Sequence, residues 1–86
     1  MTGLTRKRWY FFIWDEHNEE HLGLHRIQHW EAEEVFFNKY VITPNKKHHG
    51  PERYMIVGRT NAGRKLRLIF EDLGENTARI FTGWDI

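Results

Sequence analysis

Apolar and polar positions divide the first half of the chain into one strand and two helices. An aromatic run, WYFFIW at 9–14, is strand-prone. Asp15 follows it directly and is a residue type that favours helix N-caps, which predicts a first helix over about 16–25. A second helix is predicted from Trp30 to Asn38, where small and apolar side chains recur at helical spacing behind a run of glutamates.

The second half is dominated by segments with strand character. A short strand is predicted at 40–43, an exposed basic loop with both prolines at 44–52, and two longer strands at 53–59 and 64–70 joined by TNAG. TARIFT at 77–82 is the last predicted strand. The element order β-α-α-β-β-β-β predicts an α+β fold with two short helices packed on one face of an antiparallel sheet.

The register of the hairpin decides which face of these strands is buried. If Arg59 pairs with Arg64, the side chains of Met55 and Val57 share a face with those of Leu66 and Leu68, which we predict to lie under the helices. The side chains predicted to point the other way are those of Tyr54, Ile56, Lys65, Arg67 and Ile69.

Composition limits the kind of protein this is. With 86 residues, 40% of them hydrophobic, the chain has enough apolar surface for one core, so residues 1–86 are predicted to form a single domain. The absence of cysteine excludes disulfides and thiolate metal sites and fits a reducing compartment. No signal peptide or membrane span is expected, and we predict a cytoplasmic protein.

Charge is unevenly distributed along the chain. Residues 15–34 contain seven acidic residues against the single base Arg26, whereas residues 46–67 contain seven basic residues against the single acid Glu52. A basic region of this kind attracts phosphate or an acidic partner, although scattered cations also protect strand edges from aggregation.

Four histidines recur at a spacing of four residues in HNEEHLGLHRIQH: His17, His21, His25 and His29. On a continuous helix neighbours in this series are offset by about 40°, so only adjacent pairs could share a metal ion. A zinc site needs a further ligand, and the remaining candidate histidines are His48 and His49. We expect no metal or cofactor. Acid–base chemistry by one or two histidines, and solvent-exposed histidines without a role, are both left open.

Three longer stretches together carry a resemblance to a known family. They are WDEHNEEHLGLHRIQHWEAEEVFF, ERYMIVGRTNAGRKLRLIF and ARIFTGWDI. In this order and spacing they resemble the BrnT family of bacterial toxins, over about residues 11–86. The resemblance implies a fold similar to the RelE-like ribonuclease toxins, an activity that cleaves RNA and inhibits translation, and a ribbon-helix-helix antitoxin as partner. Contact with promoter DNA would come only through the antitoxin complex.

The resemblance also indicates candidate site residues. His25 stands at the position of the family's helix-end histidine, and His21 matches an earlier one. Arg53 follows Glu52 in the E-x-R pattern, Arg59 and Arg64 flank the hairpin turn, and Arg79 matches the first arginine of the family's last strand. Catalytic roles are expected for His25, His21, Arg53, Arg64 and Arg79, and RNA contacts for Arg59, Lys65, Arg67 and Trp84.

Two departures from the family pattern keep other functions open. Thr82-Gly83-Trp84-Asp85 replaces T-A-R-D, so a tryptophan that can stack on a base stands in place of an arginine. The sequence also stops at Ile86, before the final helix of longer members. The alternatives are a catalytically lapsed protein-interaction module and a nucleic-acid-binding protein that does not cleave.

Overall fold

The computed structural model describes residues 7–44 and 52–86. Its elements are β1 (Phe11–Phe12), α1 (Glu16–Gly23), α2 (His29–Phe37), β2 (Tyr40–Pro44), β3 (Arg53–Arg59), β4 (Lys65–Gly74) and β5 (Thr77–Asp85). The predicted α+β class and element order are confirmed. Most of the predicted basic loop, with His48 and His49, lies outside the described residues. No helix in the described parts of the chain is long and apolar enough to cross a membrane.

The five strands form one mixed sheet in the order β1-β5-β4-β3-β2. Strands β2 to β5 are an antiparallel meander, but β1 pairs with β5 in parallel, with Phe11 opposite Thr77. The prediction of a wholly antiparallel sheet is therefore wrong. The meander reverses direction three times, so β5 runs opposite to β2, and the two helices between β1 and β2 let β1 run the same way as β5.

The helices cover one face of the sheet, and the core between them is rich in aromatic rings. Phe70 lies at its centre, with ring centroids 4.9 Å from Trp9 and 5.0 Å from Phe36 in edge-to-face geometry. Such pairs stabilise a fold by about 0.5–1.5 kcal/mol beyond the area they bury. The buried hydrophobic residues of the strands are Tyr54, Ile56, Leu66, Leu68, Phe70, Ala78 and Ile80.

The hairpin register differs by one residue from the prediction. Arg59 pairs with Lys65, and the loop contains three residues because Thr60 already pairs with Arg64 through a backbone hydrogen bond of 2.9 Å. The Thr60 hydroxyl oxygen accepts a second bond from the Arg64 N–H, and Gly63 takes the positive φ of 92° that this loop needs. A shift of one residue exchanges the faces of a strand. Consequently the predicted face assignment of β3 is wrong.

The exchange places the side chains of Tyr54 and Ile56 in the core, opposite Phe70 and Leu68. Met55 and Val57 instead lie on the uncovered face of the sheet, opposite Ile69 and Arg67. The predicted burial of Leu66 and Leu68, and the outward position of Lys65 and Arg67, are confirmed.

Helix α1 is shorter than predicted because a tight turn ends it at Gly23. The Ile27 N–H bonds to the Leu22 carbonyl and the Arg26 N–H to the Gly23 carbonyl, each at 3.0 Å, and Arg26 adopts a left-handed φ of 56°. This is the Schellman pattern, completed by packing of the buried Leu22 and Ile27 side chains at the helix end. The pattern usually has glycine at the position that Arg26 occupies.

The segment before β1 is tied to the far end of the sheet. Lys7 Nζ donates to Asp72 Oδ2 at 3.0 Å, and the indole N–H of buried Trp9 donates to Asp72 Oδ1 at 3.3 Å. Burial alone would raise the pKa of Asp72, but bonds from the Gly74 N–H, Lys7 and Trp9 together lower it below its ordinary value. This carboxylate therefore joins the chain before β1 to β4.

Candidate nucleic-acid interface

The face of the sheet opposite the helices is basic. Strand alternation places on it five cationic side chains together with the rings of Phe81 and Trp84, and Glu71 is the carboxylate among them. We call this surface the open face. Its cationic residues are Arg53, Arg59, Lys65, Arg67 and Arg79.

One half of the open face is organised around Phe81. A register shift in β5 pairs Ile69 with Thr82 and Phe70 with Ile80, which leaves Phe81 as the extra residue of a β-bulge. The guanidinium carbon of Arg53 lies 4.2 Å from the Phe81 ring centroid and that of Arg79 lies 4.9 Å from it. The bulge therefore turns a phenyl ring toward two arginines.

Carboxylates hold these two arginines from their other sides. Arg79 Nη2 donates to Asp15 Oδ2 at 3.0 Å, and Arg53 Nε lies 3.5 Å from Glu71 Oε2 without forming a hydrogen bond. The backbone N–H of Asn18 and the Arg79 guanidinium lower the pKa of Asp15. Asp15 therefore stays ionised as both the N-cap of α1 and the partner of Arg79.

The other half of the open face lies at the end of β5. Arg67 is the register partner of Trp84, and its guanidinium carbon lies 6.0 Å from the ring centroid. Arg67 forms no side-chain hydrogen bond to another described residue, and its Nε is buried without a partner. Trp84 lies opposite Arg67 and Arg79 opposite Glu71, about 13 Å apart along β4, so the open face has two separate cation–aromatic sites.

Arg64 has a different position from the other predicted arginines. It lies on the helix side of the sheet and donates to both oxygens of Asp85, with the shortest contact at 2.6 Å, and to Glu31 at 3.1 Å. It also donates to the backbone carbonyls of Arg26 at 2.8 Å and His25 at 3.1 Å. These contacts engage all three nitrogens of the guanidinium.

The geometry therefore assigns Arg64 to holding the end of α1 against α2 and β5. Hydrogen bonds from Arg64 lower the pKa of Asp85, and the same bonds raise that of Arg64. In this arrangement a phosphate would have to compete with two carboxylates for the guanidinium. Arg64 is the one predicted catalytic residue whose surroundings favour a structural role.

The four histidines are separated by the end of α1. His17 and His21 lie on α1 with ring centroids 4.6 Å apart, His25 lies in the turn, and His29 opens α2 with its ring 5.7 Å from that of Trp14. All four are exposed. Within residues 7–44 and 52–86 no three potential ligands are grouped to hold a metal ion.

His25 is linked to the end of β5 through Arg64, whose Nη2 donates both to the His25 carbonyl and to Asp85. Asp85 directly follows Trp84, so the end of β5 carries Trp84 on the open face and Asp85 on the helix side. His21, on α1, has no comparable contact with β5 among the described residues.

The predicted site residues thus fall into two groups. Arg53, Arg67, Arg79 and Trp84 lie on the open face, together with the exposed Arg59 and Lys65. Arg64 and His25 lie on the helix side at the end of β5, and His21 lies on α1. Sequence reasoning missed Phe81, Asp15 and Glu71 as parts of the interface. The alternation in ARIFT could have indicated Phe81 beside Arg79, but only the register places Arg53 there.

Comparison of the chain with protein-family models, with curated proteins and with solved structures finds no match. The resemblance to the BrnT toxins therefore rests on the motifs in the sequence.

Proposed function

We propose that this chain is a ribonuclease toxin of a type II toxin–antitoxin pair, related to the BrnT family and built on a RelE-like scaffold. It would cleave RNA without a metal ion and inhibit translation. A ribbon-helix-helix antitoxin would be its partner. The observation that supports this function best is the open face, where cations and aromatic rings lie together on an uncovered sheet.

The open face suits single-stranded RNA for two reasons. Arginines with hydrogen-bond donors that no other side chain accepts can contact phosphates, and Arg53 and Arg67 form no side-chain hydrogen bonds within the described residues. Trp84 offers a ring on which a base can stack, a contact that contributes about 1–3 kcal/mol per base. Double-stranded RNA, whose bases are already stacked, would not use Trp84.

The end of β5 is where we propose that cleavage occurs. RNA held by Trp84 and Arg67 would place a ribose close to the end of β5, where Arg64 binds both Asp85 and the His25 carbonyl. The His25 imidazole would take the 2′-hydroxyl proton while the 2′-oxygen attacks the adjacent phosphorus. The bond to the 5′-oxygen breaks, that oxygen takes up a proton, and a 2′,3′-cyclic phosphate results. Arg67 would stabilise the negative charge of the transition state.

A cleavage assay with single-stranded RNA in the presence of EDTA tests this proposal. The His25→Gln variant keeps the backbone carbonyl that Arg64 binds, so it should fold normally and lose activity by 10²-fold or more, as expected for removal of a general base. The matched control is His17→Gln, which changes an exposed histidine on α1 and should retain activity. Equal activity of the two variants would refute the role of His25.

Binding without cleavage is a second candidate function. Arg64 is held by carboxylates and joined to His25 on the helix side, whereas Arg53 and Arg79 lie around Phe81 on the open face, so the predicted catalytic residues do not meet at one point. If the wild-type chain binds single-stranded RNA with a steep salt dependence but leaves it intact, this second function is correct. Growth inhibition on expression without an antitoxin separates the two, since only the ribonuclease should be toxic.

A further inference from the structure

We propose that Phe81 is a positioning residue that holds Arg53 and Arg79 as a fork for one phosphate group of the RNA backbone. This inference rests on the proposed function, because it assigns a role within the same open face. It concerns the half of the open face distant from Trp84, to which the proposed cleavage step assigns no role.

Arg53 and Arg79 lie on the two strands that flank β4. Arg53 comes from β3 and Arg79 from β5, with Glu71 of β4 as the register partner of both. Arg53 pairs with Glu71, whereas Arg79 pairs with Asp15. Since no single carboxylate of the described residues binds both guanidinium groups, a further constraint must hold them together. The Phe81 ring supplies it, with guanidinium carbons at 4.2 Å and 4.9 Å from its centroid.

Phe81 is the extra residue of the β-bulge in β5. In a regular strand the residue after Ile80 would pair with Ile69, but Thr82 takes that place and Phe81 is left out of the pairing. Bulges of this kind redirect one side chain and are frequent beside functional sites. Here the redirected side chain is the one that both arginines contact.

The guanidinium groups of Arg53 and Arg79 have the charge and the hydrogen-bond donors that a phosphate needs. Within the described residues, the Arg79 guanidinium donates a single side-chain bond, to Asp15, and the Arg53 guanidinium donates none. Both groups therefore keep terminal N–H donors that no described residue accepts, next to the same Phe81 ring on a partly exposed surface. A phosphate diester has the oxygen acceptors and the negative charge that such a pair binds in bidentate geometry.

The test uses binding rather than cleavage. The probe is a short 2′-O-methyl oligouridylate, which lacks the 2′-hydroxyl nucleophile and stays intact, titrated at several salt concentrations against the whole chain. Phe81→Leu keeps apolar volume and both arginines but removes the ring. We expect about tenfold weaker binding and a shallower salt dependence, although the net charge is unchanged. Phe81→Tyr should restore wild-type affinity, and Phe37→Leu, at an exposed ring on the helix side, should leave it unchanged.

A second measurement needs no variant at this position. In NMR spectra of the wild-type chain, the side-chain N–H signals of Arg53 and Arg79 should shift together as the probe is added. If Phe81→Leu binds like wild type, or if these two signals do not respond, the fork does not exist.

Failure of the fork and failure of the ribonuclease function give different results. A chain that cleaves RNA while Phe81→Leu binds normally has the function without the fork. A chain that never cleaves RNA but loses affinity in Phe81→Leu, with rescue by tyrosine, has the fork without the function. Absence of probe binding by the wild-type chain would overturn the fork.

Discussion

Replacing Arg64 with alanine should destabilise the protein and leave its affinity for RNA intact. The side chain joins the turn after α1, helix α2 and the end of β5 through its contacts with two backbone carbonyls, Glu31 and Asp85. Alanine would leave those carbonyls without their charged donor and both carboxylates without their counter-ion. The substitution should therefore lower the stability of the fold, although the sequence suggests that Arg64 is a catalytic residue.

The expected magnitude follows from the exposure of each contact. The Arg64 side chain is 24% exposed, so its two hydrogen bonds to carbonyls should contribute about 1 kcal/mol each. Asp85 is 58% exposed, and its ion pair is screened by water, so we add nothing for it. The sum is about 2 kcal/mol, which lowers the melting temperature of a domain of this size by roughly 8–16 °C.

Thermal unfolding followed by circular dichroism measures this change. Arg67→Ala is the matched control, because it removes the same side chain from the same strand region but breaks no side-chain hydrogen bond to a described residue. We expect it to cost less than about 1 kcal/mol while weakening binding of the oligouridylate probe. If Arg64→Ala melts like wild type and loses affinity for RNA, then Arg64 is a phosphate ligand and our structural assignment is wrong.

Three further changes test other parts of the fold. Arg26→Gly should raise the free energy of unfolding by about 0.5–1 kcal/mol, seen as a higher melting temperature, because glycine adopts the left-handed φ of 56° without strain. Gly83→Ala should destabilise by about 1–3 kcal/mol in urea titrations, since the new methyl group would lie 3.0 Å from the Arg67 carbonyl and collide with the Leu68 side chain. The stability of the wild-type protein should fall as the pH drops below 3.8, the ordinary pKa of Asp72, because a lowered pKa stabilises the folded state only while the carboxylate is ionised. The Asp72→Asn variant should be less stable than wild type at neutral pH and should lose less stability on acidification.

Much of the fold follows from local pattern in the sequence. The element order and the burial of Leu66 and Leu68 are recovered because each depends on neighbours a few residues away. The face of β3 is not recovered, because it depends on whether Thr60 belongs to the loop or to the strand pair. That choice is decided by the hydroxyl of Thr60, which accepts the Arg64 N–H.

The site is harder to predict than the fold because its residues come from distant segments. Sequence motifs indicate Arg53 and Arg79 separately. Their shared contact with Phe81 depends on a β-bulge that no local sequence pattern predicts. The regular spacing of the histidines is likewise misleading, since it assumes one continuous helix. The turn at Arg26 ends that helix, so His21 lies on α1 whereas His25 lies in the turn after it.

The parallel pairing of β1 with β5 has a consequence for how the chain folds. Residues Phe11 and Thr77 lie near opposite ends of the described sequence, so their contact closes a far longer loop than any hairpin of the meander. We therefore expect the meander to form first and β1 to attach afterwards, in the slowest step that topology imposes. A strand of two residues that joins last should also be the first to detach in the native state, so this edge is where transient opening of the sheet should begin.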